Sequence, residues 1–339
     1  MASLRSLEVP VEFFTPAPGV AIPADIMELR EALSAVEAKE SLLPAVLRSH
    51  PDFQGNTRTW SAAERDAVLQ NHERLRDVVD ESRESAETHR SEAAWNSLVH
   101  SHLLKHVTQH MQHLKFEDIT SARIMSAFCP KLSSSEQTSA AAASLAASNT
   151  SGRGLTAASA TSVHKMVNFA LVVHPSSVLQ TLIDQFLKGE PWETQSINQT
   201  RYEPLRTRPA PIFIETRTVS GTKENANVQL GIWVAAWRQR MRSMMALAGA
   251  EEEKLLTLPV IQVMDSAWSV SFVVDHGTHI RIIDEDYVIG DTNSMLGIYQ
   301  LQASMMALGA WVKDVFEPWF TNLLTRAVQS RGNPTAARC

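Results

Sequence analysis

Histidines crowd one short stretch of this chain: His100, His102, His106, His110 and His113. The last four fall at i, i+4, i+8 and i+11, a spacing that lines them along one helical face, and two histidines four apart can share a metal ion. No nearby cysteine or carboxylate completes a ligand set, so the run is taken as a polar helix face and no metal site is expected. Arginines form two further groups, Arg201, Arg206 and Arg208, then Arg238, Arg240 and Arg242. Their planar forks suit phosphate. The second group lies beside an apolar side made of Trp233, Trp237 and Met241, so its simplest reading is a solvated helix face. A covalent nucleophile leaves no signature: nothing resembles a nucleophile elbow, and neither Ser196 nor Ser220 stands out.

The overall charge limits what those arginines can do. The 339 residues carry a formal net charge of −6, whereas a dedicated nucleic-acid binder shows a basic surplus. Contact with nucleic acid must come from a local patch. A hydrophobic fraction of 44% and eight tryptophans are ample for a packed core. The two cysteines, Cys129 and Cys339, make no disulfide framework, which fits a reducing compartment. The opening MASLRSLEVPVEFF lacks the unbroken apolar core of a signal peptide, and no apolar run approaches the roughly 20 residues of a membrane span. A cytoplasmic protein with no membrane partner is expected, and no motif calls for a cofactor.

The elements that must position any site follow from periodicity. Residues 1–22, with Pro10, Pro16 and Pro18, suggest an irregular arm. Residues 23–90 suggest a helical extension: Ile26, Leu29, Leu33 and Val36 share one helix face after Pro23. A second helix starts near Ser61, with Glu64 as its capping-box partner, and crosses a charged stretch, Glu73 to Arg90. It continues into apolar residues at Trp95, Leu98, Val99, Leu103 and Leu104. The span 133–162 is rich in Ser, Ala and Thr, too poor in large apolar groups to offset its ordering entropy, and is expected to be a flexible insertion. Strands are expected at KMVNFALVV, Pro211–Val219, Leu258–Met264, Trp268–Asp275 and His279–Glu285. Helices are expected from Asn225 to about Ala250 and from Ser294 to about Gln329, with a tail over 331–339. This order predicts an α/β fold with a mixed sheet flanked by helices over 91–330.

Five segments together resemble the fungal PD-(D/E)XK nuclease-like family: SEAAWNSLVHSHLL (Ser91–Leu104), KMVNFALVV, the run Arg201–Trp237 containing PIFIETRTV, IGDTNSMLGIYQL (Ile289–Leu301) and WVKDVFEPWF (Trp311–Phe320). The resemblance covers roughly residues 90–325 and implies a restriction-endonuclease-like core. In that family an Asp, the Glu of E-x-K and its Lys surround a divalent ion. The resemblance places Asn168 at the Asp, Glu215 at the Glu, Arg217 at the Lys and Gln229 at a Gln of the following helix. Asn168 lacks the charge that a hard Mg²⁺ ion favours, and Arg217 stays protonated and cannot serve as a base. Glu215 and Arg217 share a strand face and could also simply pair with each other.

Some members of this family resemble arginine-containing cyclodipeptide synthases, which join aminoacyl groups from two charged tRNAs. The resemblance therefore implies an aminoacyl transferase with arginyl-tRNA and a second charged tRNA as partners, and no cofactor. Glu215, Arg217, Asn168 and Gln229 are the catalytic candidates. Arg201, Arg206, Arg208, Arg238, Arg242 and Trp233 are the candidates for binding substrate or tRNA. The alternatives are a metal-dependent nuclease and an inactive relative that binds nucleic acid.

Overall fold

The computed structural model describes residues 4–16, 22–40, 42–47, 50–53, 60–61, 65–133, 167–218 and 223–332. All but the first residue of the 133–162 insertion lies outside these, as do Glu64, Ser220 and residues 333–339.

Strands form where apolar residues run without a break. Phe169–Val173 (β5) is buried at every position, Ile212–Arg217 (β6) at all but its last, and so is Leu258–Met264 (β7). Continuous burial of this kind marks strands covered on both faces. The others are Val11–Phe14 (β1), Leu43–Pro44 (β2), Trp60–Ser61 (β3), Leu114–Asp118 (β4), Ala267–Asp275 (β8) and Ile280–Asp291 (β9). Seven of them make one mixed sheet in the order β1-β9-β8-β7-β6-β5-β4, while β2 and β3 pair separately. The pairs β1/β9 and β6/β7 are parallel and the rest of the large sheet is antiparallel. The expected α/β architecture, a mixed sheet flanked by helices with a helical N-terminal region, is what the chain adopts.

Helices flank the sheet: Met27–Glu37 (α1), Arg65–Glu87 (α2), Glu92–Trp95 (α3), Ser101–Thr108 (α4), Ser177–Lys188 (α5), Glu203–Arg206 (α6), Lys223–Leu247 (α7), Met295–Trp311 (α8) and Glu317–Gly332 (α9). Helix α8 packs on β9, α7 on β6, and α9 on α5 and α7. Gly290, at φ 140, permits the first of these contacts: a Cβ there would lie 2.5 Å from the Leu301 backbone nitrogen. Among the described residues, no helix is long and apolar enough to cross a membrane.

Three local expectations are corrected. The arm 1–22 is not wholly irregular, because Val11–Phe14 pairs with Ile280–Ile283 and becomes an edge strand. The helix begun before Glu73 does not run on into Trp95. It stops at Glu87, His89 takes a left-handed φ of 51, and Ser91 caps a new helix by accepting from the Ala94 amide. The histidines do not line one face either. Helix α4 ends at Thr108, before His110 and His113, and a π-helical turn over Asn96–His100 shifts the phase ahead of it. His106 is buried, its Nε2 2.7 Å from Asn71 Oδ1, and burial pushes its pKa down to about 4. His100 is enclosed, stacked on Trp95 and edge-on to Trp268, and burial alone pushes it down to about 3.

Candidate active site

Strand β6 is fed by a pinned turn. The buried Asn198 donates to the carbonyls of Leu205 (2.6 Å) and Arg208 (2.8 Å) and accepts from the Ala210 amide (3.1 Å). The strand then runs apolar until its last three residues, Glu215, Thr216 and Arg217. Polar groups there interrupt a continuous hydrophobic pattern: Thr216 and Arg217 are held from neighbouring elements, and Glu215 pairs with Arg217 on its own strand.

Asn168 immediately precedes β5, and its backbone amide donates to the Ile214 carbonyl. Its side-chain oxygen accepts from the Thr216 amide at 3.0 Å. Its Nδ2 donates to Glu92 Oε1 at 3.1 Å. Arg217 donates through Nη1 to both oxygens of Glu92, each at 2.8 Å, and its Nη2 lies 2.6 Å from Glu215 Oε1. The Glu215 side chain is 0% exposed, that of Arg217 14% and that of Glu92 32%. One guanidinium is therefore clasped between an enclosed carboxylate and a more open one.

Glu92 is the residue that the sequence analysis did not single out. It is the first residue of α3, where a carboxylate favours the positive end of a helix. Asn96, one turn later on the same side, accepts from the Thr216 hydroxyl at 2.7 Å. Two side chains four apart thus dock the helix onto the end of β6. The available signal was Ser91 as an N-cap with an acid right behind it.

The residues brought together are Asn168, Glu215, Arg217 and Glu92. Gln229 is half-buried on α7. Two residues earlier, Asn227 accepts from Gln262 Nε2 at 2.6 Å, and Gln262 is the register partner of Glu215 on β7. Past Arg217 a cavity of about 450 Å³ opens, lined by Trp95, Arg90, His89, Thr218 and Asp265. Its size is within the range of small-ligand sites. A groove of about 460 Å³ between α2 and α4 shares no lining residue with this cluster and mixes Arg74 and Lys105 with Asp77 and Glu81.

The basic candidates divide. Arg201, Arg206 and Arg208 precede β6, whereas Glu215 and Arg217 lie roughly 10 and 16 Å along it from its start. Arg201 stacks on the exposed Trp192 ring at 3.8 Å. Arg206 pairs with Glu203, and Arg208 with Glu117 at 2.5 Å. The second group is corrected by burial. Arg240 is fully enclosed, and Arg238 and Arg242 both hold Asp275, at 2.8 and 2.7 Å, where β8 turns towards β9. Trp233 is 0% exposed and edge-on to Phe213 in the core, so it offers no surface to a substrate.

The arrangement of an acid on a helix, an amide ahead of one strand and E-x-R ending the next lies within a longer match. A family model described as the PD-(D/E)XK nuclease superfamily matches residues 43–317. The chain belongs to this superfamily. The match begins well before residue 90 and takes in the helical region from residue 43. Comparison with curated proteins and with solved structures finds no match.

Superfamily membership implies a divalent ion, and the donor set can be tested for one. Mg²⁺ requires near-octahedral oxygens at about 2.0–2.1 Å. Here both carboxylates converge on a guanidinium fixed among them, and the third oxygen, Asn168 Oδ1, is neutral and already accepts from Thr216. The residues do not fit a hard divalent ion. Restoring the superfamily pattern with Asn168→Asp and Arg217→Lys together is expected to tighten Mn²⁺ binding by about tenfold or more, since affinity follows ligand charge count. Mn²⁺ titration followed by electron paramagnetic resonance measures it. Equal binding by the parent chain would show that Arg217 does not keep the ion out.

Proposed function

We propose that the chain is a tRNA-dependent cyclodipeptide synthase that takes arginine as one of its two residues. The observation that supports this most is Arg217 clasped by Glu92 and Glu215, a fixed cation in the middle of a nuclease-type carboxylate site. Aminoacyl esters are already activated, so their transfer needs donors and a proton acceptor instead of a metal-bound water. In the first step the α-amine of one aminoacyl group attacks the ester carbonyl of the other. A C–N bond forms, the C–O bond to the ribose breaks, and the proton lost by the amine is balanced by one gained by the departing 3′-oxygen. A second attack of the same kind closes the ring and frees the second tRNA.

Arg217 supplies hydrogen-bond donors where negative charge develops on the carbonyl oxygen, a stabilisation worth most in an enclosed site. Glu215, wholly buried behind it, holds the guanidinium in orientation. Glu92 is the more open carboxylate and accepts the amine proton, the role a general base fills within hydrogen-bond reach. Asn168 braces Glu92 from the side. Glu215 grips a substrate guanidinium only if Arg217 first leaves, so an arginyl side chain is placed instead in the adjoining cavity beside Asp265. The acceptor ends of tRNA approach over Trp192 and Arg201, where an exposed aromatic ring and a guanidinium offer stacking and charge.

The test is expression in a bacterial host with mass spectrometry of the culture, followed by reaction of the purified chain with arginyl-tRNA and a mixture of charged tRNAs in chelator. An arginine-containing diketopiperazine formed in both is the expected result. Soluble protein that yields none in either assay sinks the proposal, and Mg²⁺-dependent cutting of DNA or RNA in its place would restore the nuclease reading.

A further inference from the structure

A second cluster of ligand-type side chains lies on residues that the candidate active site does not use. His50 precedes the short turn Pro51–Phe53, Asp52 lies within it, and His72 lies on α2. One ring nitrogen from each histidine and one Asp52 oxygen all lie within 4.8 Å of one another. His72 Nε2 is 3.0 Å from Asp52 Oδ2, and the two imidazole rings are 4.3 Å apart.

The middle of this cluster is taken by a single atom, Nη2 of Arg76, one turn further along α2. It lies 2.7 Å from Asp52 Oδ2, 3.1 Å from His72 Nε2 and 3.3 Å from His50 Nε2. That one nitrogen, with two hydrogens, shares its surroundings with a carboxylate oxygen and two imidazole nitrogens. Two imidazoles and a carboxylate are the donor set that borderline divalent ions such as Zn²⁺ take, often with an open fourth position. The side chain of Arg76 is 38% exposed, and it lines a cavity of about 460 Å³ with Asp52, Asp80, Arg83 and Met295, which gives the guanidinium somewhere to go.

The cluster is also braced from behind. The Tyr299 hydroxyl lies 3.3 Å from His72 Nδ1, and Phe53 packs on both rings. An outer partner on the far nitrogen is the usual device for orienting a metal-ligating histidine.

We propose that His50, Asp52 and His72 form a binding site for a borderline divalent ion of the zinc class, with Arg76 as a displaceable cation that holds the ligands together when the ion is absent. Tetrahedral coordination at about 2.0–2.2 Å sets ligand atoms roughly 3.3 Å apart. The His72–Asp52 pair, at 3.0 Å, lies a few tenths of an ångström inside that spacing. Binding ties the 50–53 turn to α2 and leaves the fourth position facing the cavity.

Co²⁺, whose visible bands report tetrahedral nitrogen and oxygen ligands, is the probe on the full chain, with Zn²⁺ as competitor. One equivalent is expected to give such bands and Zn²⁺ to abolish them. Arg76→Gln should tighten binding about tenfold by removing the competing cation, while His50→Gln and Asp52→Asn, both near the surface, should each weaken it roughly 10–100-fold. Circular dichroism confirms that each variant is folded. Absence of the bands in both the parent chain and Arg76→Gln overturns the proposal. So do bands that survive His50→Gln combined with Asp52→Asn, or an Arg76→Gln that binds no more tightly than the parent.

Discussion

Glu215→Gln is expected to cut diketopiperazine formation by about a hundredfold or more while leaving the protein folded. The carboxylate is fully enclosed and 2.6 Å from Arg217 Nη2. Gln keeps an oxygen for that contact but not the charge that orients the fork. Loss of one preorganised donor in an enclosed site costs about 10²–10³ in rate, and a mis-set Arg217 is such a loss. The stability cost is smaller than the roughly 3–5 kcal/mol usual for breaking a buried pair, because Glu92 still neutralises Arg217 through both its oxygens. Arg217→Lys separates charge from shape, since an ammonium cannot span Glu92 and Glu215 as a planar fork does. Product assays on charged tRNAs, with thermal melts of the same samples, provide the measurement. A Glu215→Gln enzyme that works at the parent rate would mean the ion pair is structural and the chemistry lies elsewhere.

Glu190→Ala is expected to lower the melting temperature by about 10 °C or more. Arg240 has no exposed side-chain surface, and Glu190 Oε2 is its carboxylate partner at 2.8 Å. Its Nη2 donates to the Ser196 carbonyl at 2.6 Å, and Phe128 and Phe186 lie about its guanidinium. Arg331, from α9, closes on the other oxygen of Glu190. Removing Glu190 leaves a buried charge without a counterion, a cost of about 3–5 kcal/mol. Total stability is typically only about 5–15 kcal/mol, and each kcal/mol moves a domain of this class by roughly 2–4 °C. Burial opposes ionisation of Glu190, but the two arginines outweigh it and depress its pKa. A depressed acid contributes stability that is fully present above its ordinary value of 4.5 and is lost as pH falls through the lower folded value. Acid melts of the parent should therefore steepen below pH 4.5, and those of Glu190→Ala should not. Adding Arg240→Met to Glu190→Leu should recover much of the loss. A melting point within about 2 °C of the parent for Glu190→Ala would show that water already reaches Arg240.

Much of the sheet was legible because its strands declare themselves locally. The apolar runs at Phe169–Val173, 212–214 and 258–261 can be buried on both faces only inside a covered sheet, and the polar interruption at 215–217 marks the place where that run gives way to chemistry. The alternation that sets Glu215 and Arg217 on one strand face is likewise a property of the chain alone. What the sequence could not state is which distant group each one meets. Val11–Phe14 is short and lies among prolines, and it becomes a strand only because β9 offers it an open edge. Glu92 became part of the site because a capped helix happens to end against β6, more than a hundred residues away. The reading of Arg238, Arg240 and Arg242 as a solvated face assumed that α7 has one. Leu230–Trp237 is instead buried around its whole circumference, between β6 and α9, so Trp233 sits in the core and Arg240 had to find its counterion there. Periodicity fixes which residues share a side of an element, but only packing decides whether that side meets water, another layer or a charge.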